Sequence, residues 1–415
     1  MGVSWDDGVR IEHGKSNGDP TLVTVNCPDR IGLGCDITRV ILEFGLYVTR
    51  GDFSTDGKWC YIVFWVVPSP RALRVDWESM KNRLVSECPS HLISFCFDPK
   101  PSTSSLSSLY LLKVFCLDRK GLLHDVTKVL CELELTIQRV KVMTTPDGKV
   151  LDLFFITDGM NSLHLKGRRD ETCDYLTLVL GEFCLSCELL LAGPEYEVQH
   201  SVSSPPQAIA DEFFNCNSSS MAVDANITKI KKAKITVDNS LSPAHTLLQI
   251  ECIDQKGLIY DILRTSKDCD IRISHGRISS TAKGCRNMDL FVQKTNKAKF
   301  FNDENLDNFC SRLTEDMLHP LRVTITSRGP DTELMVANPV ESSGKGRPLV
   351  FFDVTYALKT LKLCIFSAEI VRHSTSDREW EVYRFLLDES REFPLGSKQA
   401  QSRIVDRVKR TLMGW

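Results

Sequence analysis

The chain has 415 residues, of which 42% are hydrophobic and 25% are charged, and its formal net charge is −3. This length suits several domains of about 70–100 residues better than a single core. The small negative charge gives no general attraction to nucleic acid or to an anionic membrane. No apolar run reaches the roughly 18 residues that a membrane helix needs, so the sequence predicts a soluble protein that binds neither nucleic acid nor membrane.

The sixteen cysteines do not indicate disulfides or a metal site. Most have apolar neighbours, where cysteine behaves as a small core residue. The CxxC pair Cys184 and Cys187 has no second pair at metal-ligand spacing. The N-terminal stretch contains Asp6, Asp7 and Glu12 and no apolar run, so it is not a secretory signal. We therefore expect reduced thiols, no metal, no cofactor, and a cytoplasmic location with the nucleus as a second compartment.

A first folding unit is expected at residues 21–98, after a polar and flexible segment at residues 1–20. An apolar strand leads into the turn DRIG, and apolar residues then recur at helical spacing from Leu33 to Phe44. Two extended stretches joined by the turn TDGK come next. A helix at Arg71–Glu87 and a strand at His91–Phe97 complete the order βαββαβ.

A second unit at residues 109–194 repeats this order. Its turn belongs to the stretch DRKGLLHDV, Asp118–Val126, and the glycine lies 89 residues after that of the first unit. His124 in this stretch is expected to be an exposed residue at a helix start. Residues 195–235 then change character, with two adjacent prolines, a serine-rich run and four lysines, and are predicted to be a linker.

Two further units follow the linker. The third, residues 236–328, contains DQKGLIYDI and is expected to end in the strand Arg322–Ser327. The fourth, residues 332–415, keeps the helical pattern and an aspartate at Asp353 but has lost the glycine-containing turn. It is a degenerate copy, and it is expected to lack its final strand.

The order βαββαβ predicts an α+β fold of the ferredoxin-like type, in which both helices cover one face of an antiparallel sheet. The other face is left open, and the strands here are apolar on both sides, so that face needs a partner. A short connection joins units one and two, a long one separates two from three, and a short one joins three and four. These lengths predict two pairs made of sequence neighbours.

The repeated turn is the candidate site for chemistry. Glycine lets the backbone turn sharply from strand to helix and lets a ligand approach. The first N–H groups of the helix are unpaired and lie at its positive end, where they can hold a small carboxylate. The preceding aspartate can take an ammonium group, and an amino acid carries both charges. The alternative is that glycine makes the turn, aspartate caps it, and nothing binds.

These junctions, the element order and the tandem copies resemble the plant family of ACT-domain repeat proteins over most of residues 22–412. The resemblance implies a regulatory protein that binds amino acids between paired domains. It places the ligand contacts at the aspartate, glycine and leucine of each junction, which are Asp29, Gly32, Leu33, Asp118, Gly121, Leu122, Asp254, Gly257 and Leu258. A further family contact, often Asn, lies early in the second strand, and the corresponding positions here are Tyr47, Thr136, Arg272 and Cys364.

The leading hypothesis is a non-enzymatic amino-acid sensor that transmits its signal to a partner enzyme or signalling protein. The main alternative is an interaction scaffold without a small-molecule ligand, which the absence of Asn at the second-strand positions favours. An enzyme is the least favoured reading, because none of the common catalytic motifs is present and no catalytic domain fits beside the repeats. Assembly as a homo-oligomer stays open.

Overall fold

The computed structural model describes residues 8–16, 18–69, 74–89, 108–193, 213–214, 233–281, 284–296, 299–300, 304–328, 331–388 and 395–415. The chain divides into two compact units. Unit 1 combines Met1–Pro99 with Ala222–Pro320, and unit 2 combines Lys100–Met221 with Leu321–Trp415. No helix in the described ranges is long and apolar enough to cross a membrane.

The first half of the chain contains eight strands and four α-helices in its described ranges. Those of the first copy are β1 (Val9–Glu12), β2 (Thr21–Pro28), α1 (Leu33–Glu43), β3 (Leu46–Thr55), β4 (Trp59–Pro68) and α2 (Trp77–Glu87). Those of the second copy are β5 (Tyr110–Leu117), α3 (Leu122–Glu132), β6 (Leu135–Thr144), β7 (Lys149–Asp158), α4 (Lys166–Leu180) and β8 (Cys184–Leu191).

The described ranges of the second half again contain eight strands and four α-helices. Those of the third copy are β9 (Lys234–Asp238), β10 (Thr246–Ile253), α5 (Leu258–Asp268), β11 (Ile271–Ser280), β12 (Cys285–Lys294) and α6 (Glu304–Leu318). Those of the fourth copy are β13 (Arg322–Arg328), β14 (Asp331–Pro339), α7 (Val350–Thr360), β15 (Cys364–Ser374), β16 (Glu379–Asp388) and α8 (Lys398–Met413).

Unit 1 is built on one antiparallel sheet of eight strands, in the order β1-β2-β4-β3-β11-β12-β10-β9. Copies one and three meet where β3 pairs with β11, with Phe53 opposite Gly276 and Asp52 opposite Arg277. A Cβ atom at Gly276 would overlap the Phe53 ring, so this close approach of the two copies requires glycine. The Nε atom of Arg277 lies 3.2 Å from Asp52 Oδ1 and adds an ion pair across the same seam.

Unit 2 repeats this architecture with copies two and four, in the strand order β13-β14-β16-β15-β6-β7-β5-β8. The copies meet where β6 pairs with β15, with Val142 opposite Ala368 and Lys141 opposite Glu369. In each unit a continuous apolar core contains buried side chains from the sheet and from the helices of both copies. The ferredoxin-like fold is thus confirmed, and each pair shares one sheet.

The pairs are made of alternate copies, so the prediction of neighbouring pairs is wrong. Copy one pairs with copy three, and copy two with copy four. Connection lengths misled this prediction because the entropic cost of closing a longer loop grows only slowly with its length. In both units the copies pair through the strand at the second-strand position, β3 with β11 and β6 with β15.

The outer strand of each four-stranded group also differs from the prediction. In copy two it is β8, at the C-terminal end, as expected. In the other copies a strand ahead of the motif fills this place: β1 pairs with β2, β9 with β10, and β13 with β14. Arg322–Ser327 therefore belongs to copy four, which does not lack an outer strand, and the segment before residue 20 contributes a strand. The expected strand His91–Phe97 lies outside the described residues.

The outer face of the copy-four sheet is partly covered by an aromatic pair from the connection between copies two and three. Phe214 stacks on His373 with ring centroids 4.6 Å apart and lies 5.4 Å from the Trp380 ring. Arg322 donates a hydrogen bond to the Phe214 carbonyl oxygen at 3.0 Å. This contact covers part of the face that was expected to need a partner.

Candidate ligand-binding site

The strand-to-helix junction has the same backbone geometry in the first three copies. Gly32, Gly121 and Gly257 each precede the first helical residue, with φ angles of 81°, 82° and 75°. This left-handed conformation favours glycine, which explains the residue at this position. Copy four has Leu349 here with φ 60°, so the turn persists at a cost in backbone strain.

Junction one is closed by two basic side chains of copy three. Arg272, early in β11, pairs with the Asp29 carboxylate across the seam between the copies. A Cβ atom at Gly32 would lie 2.7 Å from the Cε atom of Lys267, which shows how closely the lysine stem covers the turn. Lys267 also pairs with Asp36 at 3.4 Å. The anionic group at this junction therefore already has a cation from its own chain.

Junction three is neutralised from within its own copy. The Nη2 atom of Arg286, on β12, lies 2.8 Å from Asp254 Oδ2, and the arginine side chain is almost fully buried. The same guanidinium donates to the carbonyl oxygen of Val48 at 2.7 Å and to that of Thr49. These two carbonyls lie where β3 bulges against β4. Arg286 thus joins copy three to copy one and occupies the carboxylate of junction three.

Junction two differs because no basic side chain of the described residues pairs with Asp118. Burial raises the pKa of this carboxyl above its usual value, and the nearby Asp388 adds to the rise, against a hydrogen bond from the Arg119 backbone. The position that supplies Arg272 at junction one is Cys364 here. The absence of a cation at that one position leaves Asp118 uncompensated.

A second carboxyl, Asp152 on β7, lies beside Asp118. It is 1% exposed, and its Oδ1 atom has no hydrogen-bond partner. Burial, together with the charge of Asp118, raises the pKa of Asp152 to about 8. The corresponding residues of copies one and three are Ile62 and Met288, both in the apolar core. A buried acid has therefore taken a core position in copy two alone of these three.

The two carboxyls line a cavity of about 20 Å³ that also borders the junction. This is room for about one water-sized group. Its other walls include Leu122, Val142 and Lys359. The lysine comes from α7 of copy four and covers the turn, since a Cβ atom at Gly121 would lie 2.8 Å from its Cγ and Cδ atoms.

One aspartate on α3 holds both basic groups at the cavity mouth. Lys359 Nζ lies 2.6 Å from Asp125 Oδ1, and Arg119 Nη2 lies 2.6 Å from Asp125 Oδ2. These contacts lower the pKa of Asp125, although burial opposes them as the largest single effect. The positive charge at the mouth is therefore directed at Asp125 and not at Asp118 or Asp152.

His124 is buried, so the expectation of an exposed histidine is wrong. It lies 5% exposed between α3 and α7, with Nδ1 3.3 Å from the Thr355 hydroxyl and the ring 5.0 Å from that of Phe352. Burial, aided by the charge of Lys359, lowers the pKa of His124 to about 4. The imidazole is therefore neutral at physiological pH and helps to pack copies two and four together.

The structure brings the predicted junction residues to the two seams between paired copies. Each aspartate lies three residues before its glycine, and the leucines that follow the glycines are buried anchors: Leu33, Leu122 and Leu258 are 1%, 3% and 2% exposed. Of these leucines, Leu122 borders the cavity. Sequence reasoning missed Asp152 and Lys359. The available signal was an aspartate in the middle of a largely apolar strand.

Copy four replaces the junction aspartate and glycine with a buried polar network. The Asn338 side chain accepts a hydrogen bond from the Arg347 backbone at 3.0 Å and donates one to the Arg347 carbonyl oxygen at 3.0 Å. Tyr383 donates its hydroxyl to Glu381 and lies 3.2 Å from the Asn338 amide. The network satisfies its own polar groups, which fits a structural role for this copy.

Paired ferredoxin-like domains that meet edge to edge, with a strand–glycine–helix junction on the seam, define a protein of tandem ACT domains. Three family models match the chain. They are the ACR9-like, ACT-like domain at residues 234–331, the N-terminal part of ACT domain-containing protein ACR10 at residues 11–89, and the C-terminal part of ACT domain-containing protein ACR9 at residues 332–414.

Full-length relatives agree with these models. The chain is 64% identical to ACT domain-containing protein ACR9 of Arabidopsis thaliana over 415 residues and 46% identical to ACT domain-containing protein ACR10 of the same plant over 423 residues, each match covering 100% of both chains. It thus belongs to the plant family of ACT-domain repeat proteins, which are regulatory proteins. A bifunctional uridylyltransferase/uridylyl-removing enzyme of Gluconobacter oxydans is 26% identical over 43% of this chain and 16% of that enzyme.

Proposed function

We propose that this protein is a non-enzymatic regulator that binds an amino acid at junction two, between copies two and four, and transmits the bound state to a partner protein. One observation carries the proposal. Asp118 is exposed at a glycine turn and lacks a basic partner among the described residues, whereas Asp29 and Asp254 are held by Arg272 and Arg286.

The charges around junction two suit the two ends of an amino acid. Asp118 can accept the ammonium group, because its carboxylate has no basic partner among the described residues. The start of α3 is the positive end of a helix, and Lys359 lies beside it, so the ligand carboxylate is favoured there. Asp118 and Lys359 come from different copies: Asp118 lies in the turn before α3 of copy two, and Lys359 lies on α7 of copy four.

Binding must move Lys359, because its stem covers the Gly121 turn and the present cavity admits about one water-sized group. The movement changes the ion pair between Lys359 and Asp125, which connects α7 to α3. A ligand shifts such an equilibrium only by binding one arrangement more tightly than the other. The seam between copies two and four is therefore the element through which the signal reaches a partner.

Calorimetric titration of the full chain with each of the twenty amino acids at millimolar concentration tests the proposal. Asp118→Asn removes the charge that holds the ammonium group, and Asp29→Asn makes the same change at junction one as the matched control. We expect binding of at least one amino acid to the wild-type chain and to Asp29→Asn but at least about tenfold weaker binding to Asp118→Asn. Equal loss in both variants, or no binding by any amino acid, overturns the proposal.

The second candidate is an interaction scaffold without a small-molecule ligand. The observation in its favour is that Arg272 and Arg286 already occupy the aspartates of junctions one and three. A scaffold requires partner binding to be independent of amino acids. Partner retention measured with wild-type chain and with Asp118→Asn, each with and without the amino acid found by titration, separates the two. Ligand-dependent retention by the wild-type chain alone supports the sensor.

A further inference from the structure

The environment of Asp152 points to the chemistry of the ligand at junction two. A carboxyl group placed in an apolar strand interior, with one oxygen unpaired, costs free energy unless a partner satisfies it. Copies one and three avoid this cost with Ile62 and Met288 at the same sheet position. Asp152 borders the cavity, so a bound group can reach it.

The cavity beside Asp152 matches the size of an ammonium group. About 20 Å³ admits one water-sized group, and an ammonium group is of that size and donates three hydrogen bonds. A guanidinium group is too large for it. Asp118 and Asp152 provide acceptors on the same cavity, while Val142 and Leu122 provide apolar walls suited to methylene groups.

The unsatisfied carboxyl of Asp152 favours a ligand that carries a second ammonium group. Arg119 and Lys359 are both paired with Asp125. Neither of them therefore supplies a cation to Asp152, which a pKa of about 8 keeps mostly protonated at pH 7. A neutral amino acid uses its one ammonium group on Asp118 and leaves Asp152 Oδ1 unpaired, whereas an amino acid with an additional ammonium group can satisfy both carboxyls.

We propose that junction two selects a diamino acid, whose α-ammonium group binds Asp118 and whose side-chain ammonium group enters the cavity and binds Asp152. This inference rests on the proposed function. On binding, the O–H proton of Asp152 leaves for solvent, and the carboxylate formed accepts a hydrogen bond from the entering ammonium group. No other bond forms or breaks. Proton release is thus a built-in consequence of selecting this class of ligand.

The experiment compares L-lysine, L-ornithine and L-norleucine, since norleucine has the lysine carbon chain without its terminal ammonium group. Calorimetric titrations of the full chain at pH 7 are repeated in two buffers with different ionisation enthalpies, which gives the number of protons released. We expect lysine or ornithine to bind at least about tenfold more tightly than norleucine, with release of about one proton.

Two variants locate the effect. Asp152→Leu restores the apolar character of the corresponding core positions, and Asp152→Asn keeps the shape without the charge. We expect both to lose the preference for the diamino acid and the proton release, while thermal unfolding confirms that they are folded.

Three other outcomes would overturn the inference, and they differ in what they mean for the proposed function. If a neutral amino acid binds as tightly as lysine, loses affinity in Asp118→Asn and releases no proton, the inference fails while the proposed function stands. If no amino acid binds, both fail. If ammonium or potassium ions alone displace the proton and lysine adds nothing, the cavity is a monovalent-cation site and the inference is overturned.

Discussion

Arg272 of copy three reaches across the seam of unit 1 and pairs with Asp29 of copy one, and the equivalent position in unit 2 is Cys364. The same fold therefore builds one junction with its own cation and one without. Because the rest of the turn has the same backbone geometry, this single position separates a junction aspartate that is paired with a cation from one that is not.

Arg272→Cys, which gives junction one the residue found in unit 2, is expected to destabilise unit 1 by about 3 kcal/mol, because the largely buried Asp29 carboxylate loses its cation. Chemical denaturation monitored by tryptophan fluorescence measures the change in the free energy of unfolding. The double variant Asp29→Asn with Arg272→Cys serves as control and should recover most of the loss. A single variant as stable as the wild-type chain contradicts the structural role of this pair.

The reciprocal change, Cys364→Arg, should supply Asp118 with a cation. We expect the variant to be about 1 kcal/mol more stable than the wild-type chain, since a partly exposed ion pair contributes little. It should also weaken amino-acid binding at least about tenfold, because the new guanidinium occupies the ammonium position. Cys364→Ala, which adds no charge, is the matched control for both measurements. Unchanged binding by Cys364→Arg places the ligand elsewhere.

Asp152 should make stability depend on pH. The unfolded chain releases this proton near pH 4 and the folded protein keeps it until about pH 8, so the folded state binds more protons between these values. The free energy of unfolding therefore falls as pH rises through that window. The full effect above pH 8 is on the order of 5 kcal/mol.

The comparison is between the wild-type chain and Asp152→Leu at pH 5 and pH 8, in urea denaturation without ligand. We expect the variant to gain stability relative to the wild-type chain as pH rises. A constant difference between the two proteins at both pH values shows that Asp152 is not protonated in the folded state.

His124 has the opposite pH dependence. Its pKa is about 4 in the folded protein and 6.5 ordinarily, so the unfolded chain binds a proton here in the range where the folded protein does not. The free energy of unfolding should therefore fall by on the order of 2 kcal/mol as pH falls from 6.5 to 4. His124→Phe, which places the residue of the corresponding copy-four position here, should remove this part of the acid sensitivity. Equal acid sensitivity of both proteins means that His124 is accessible to protons when folded.

Much of the architecture can be predicted from the sequence because the repeated turn is local. A glycine after DRI, DRK or DQK and before a helical pattern defines the strand–turn–helix unit, and the structure confirms it in three copies. The pairing of alternate copies is not local. It depends on contacts such as Phe53 on Gly276, which join segments more than two hundred residues apart and leave no periodic signal.

Asp152 could not be placed on the inner face of its sheet from the sequence. The strand reads KVLDLFFITD, and residues on both of its faces are apolar, so alternation does not identify the buried side. Comparison of the copies is informative only once their register is known, when Asp152 aligns with Ile62 and Met288. The structure supplied that register, and with it the distinction between junction two and the others.

The position of Lys359 in a crystal structure of the chain with its amino acid tests the account most directly. We predict that the ligand carboxylate lies at the start of α3, that its ammonium group contacts Asp118, and that Lys359 no longer covers Gly121. Junction one should stay occupied by Arg272. A ligand bound at junction one or three, or a bound chain in which Lys359 still covers Gly121, contradicts the account.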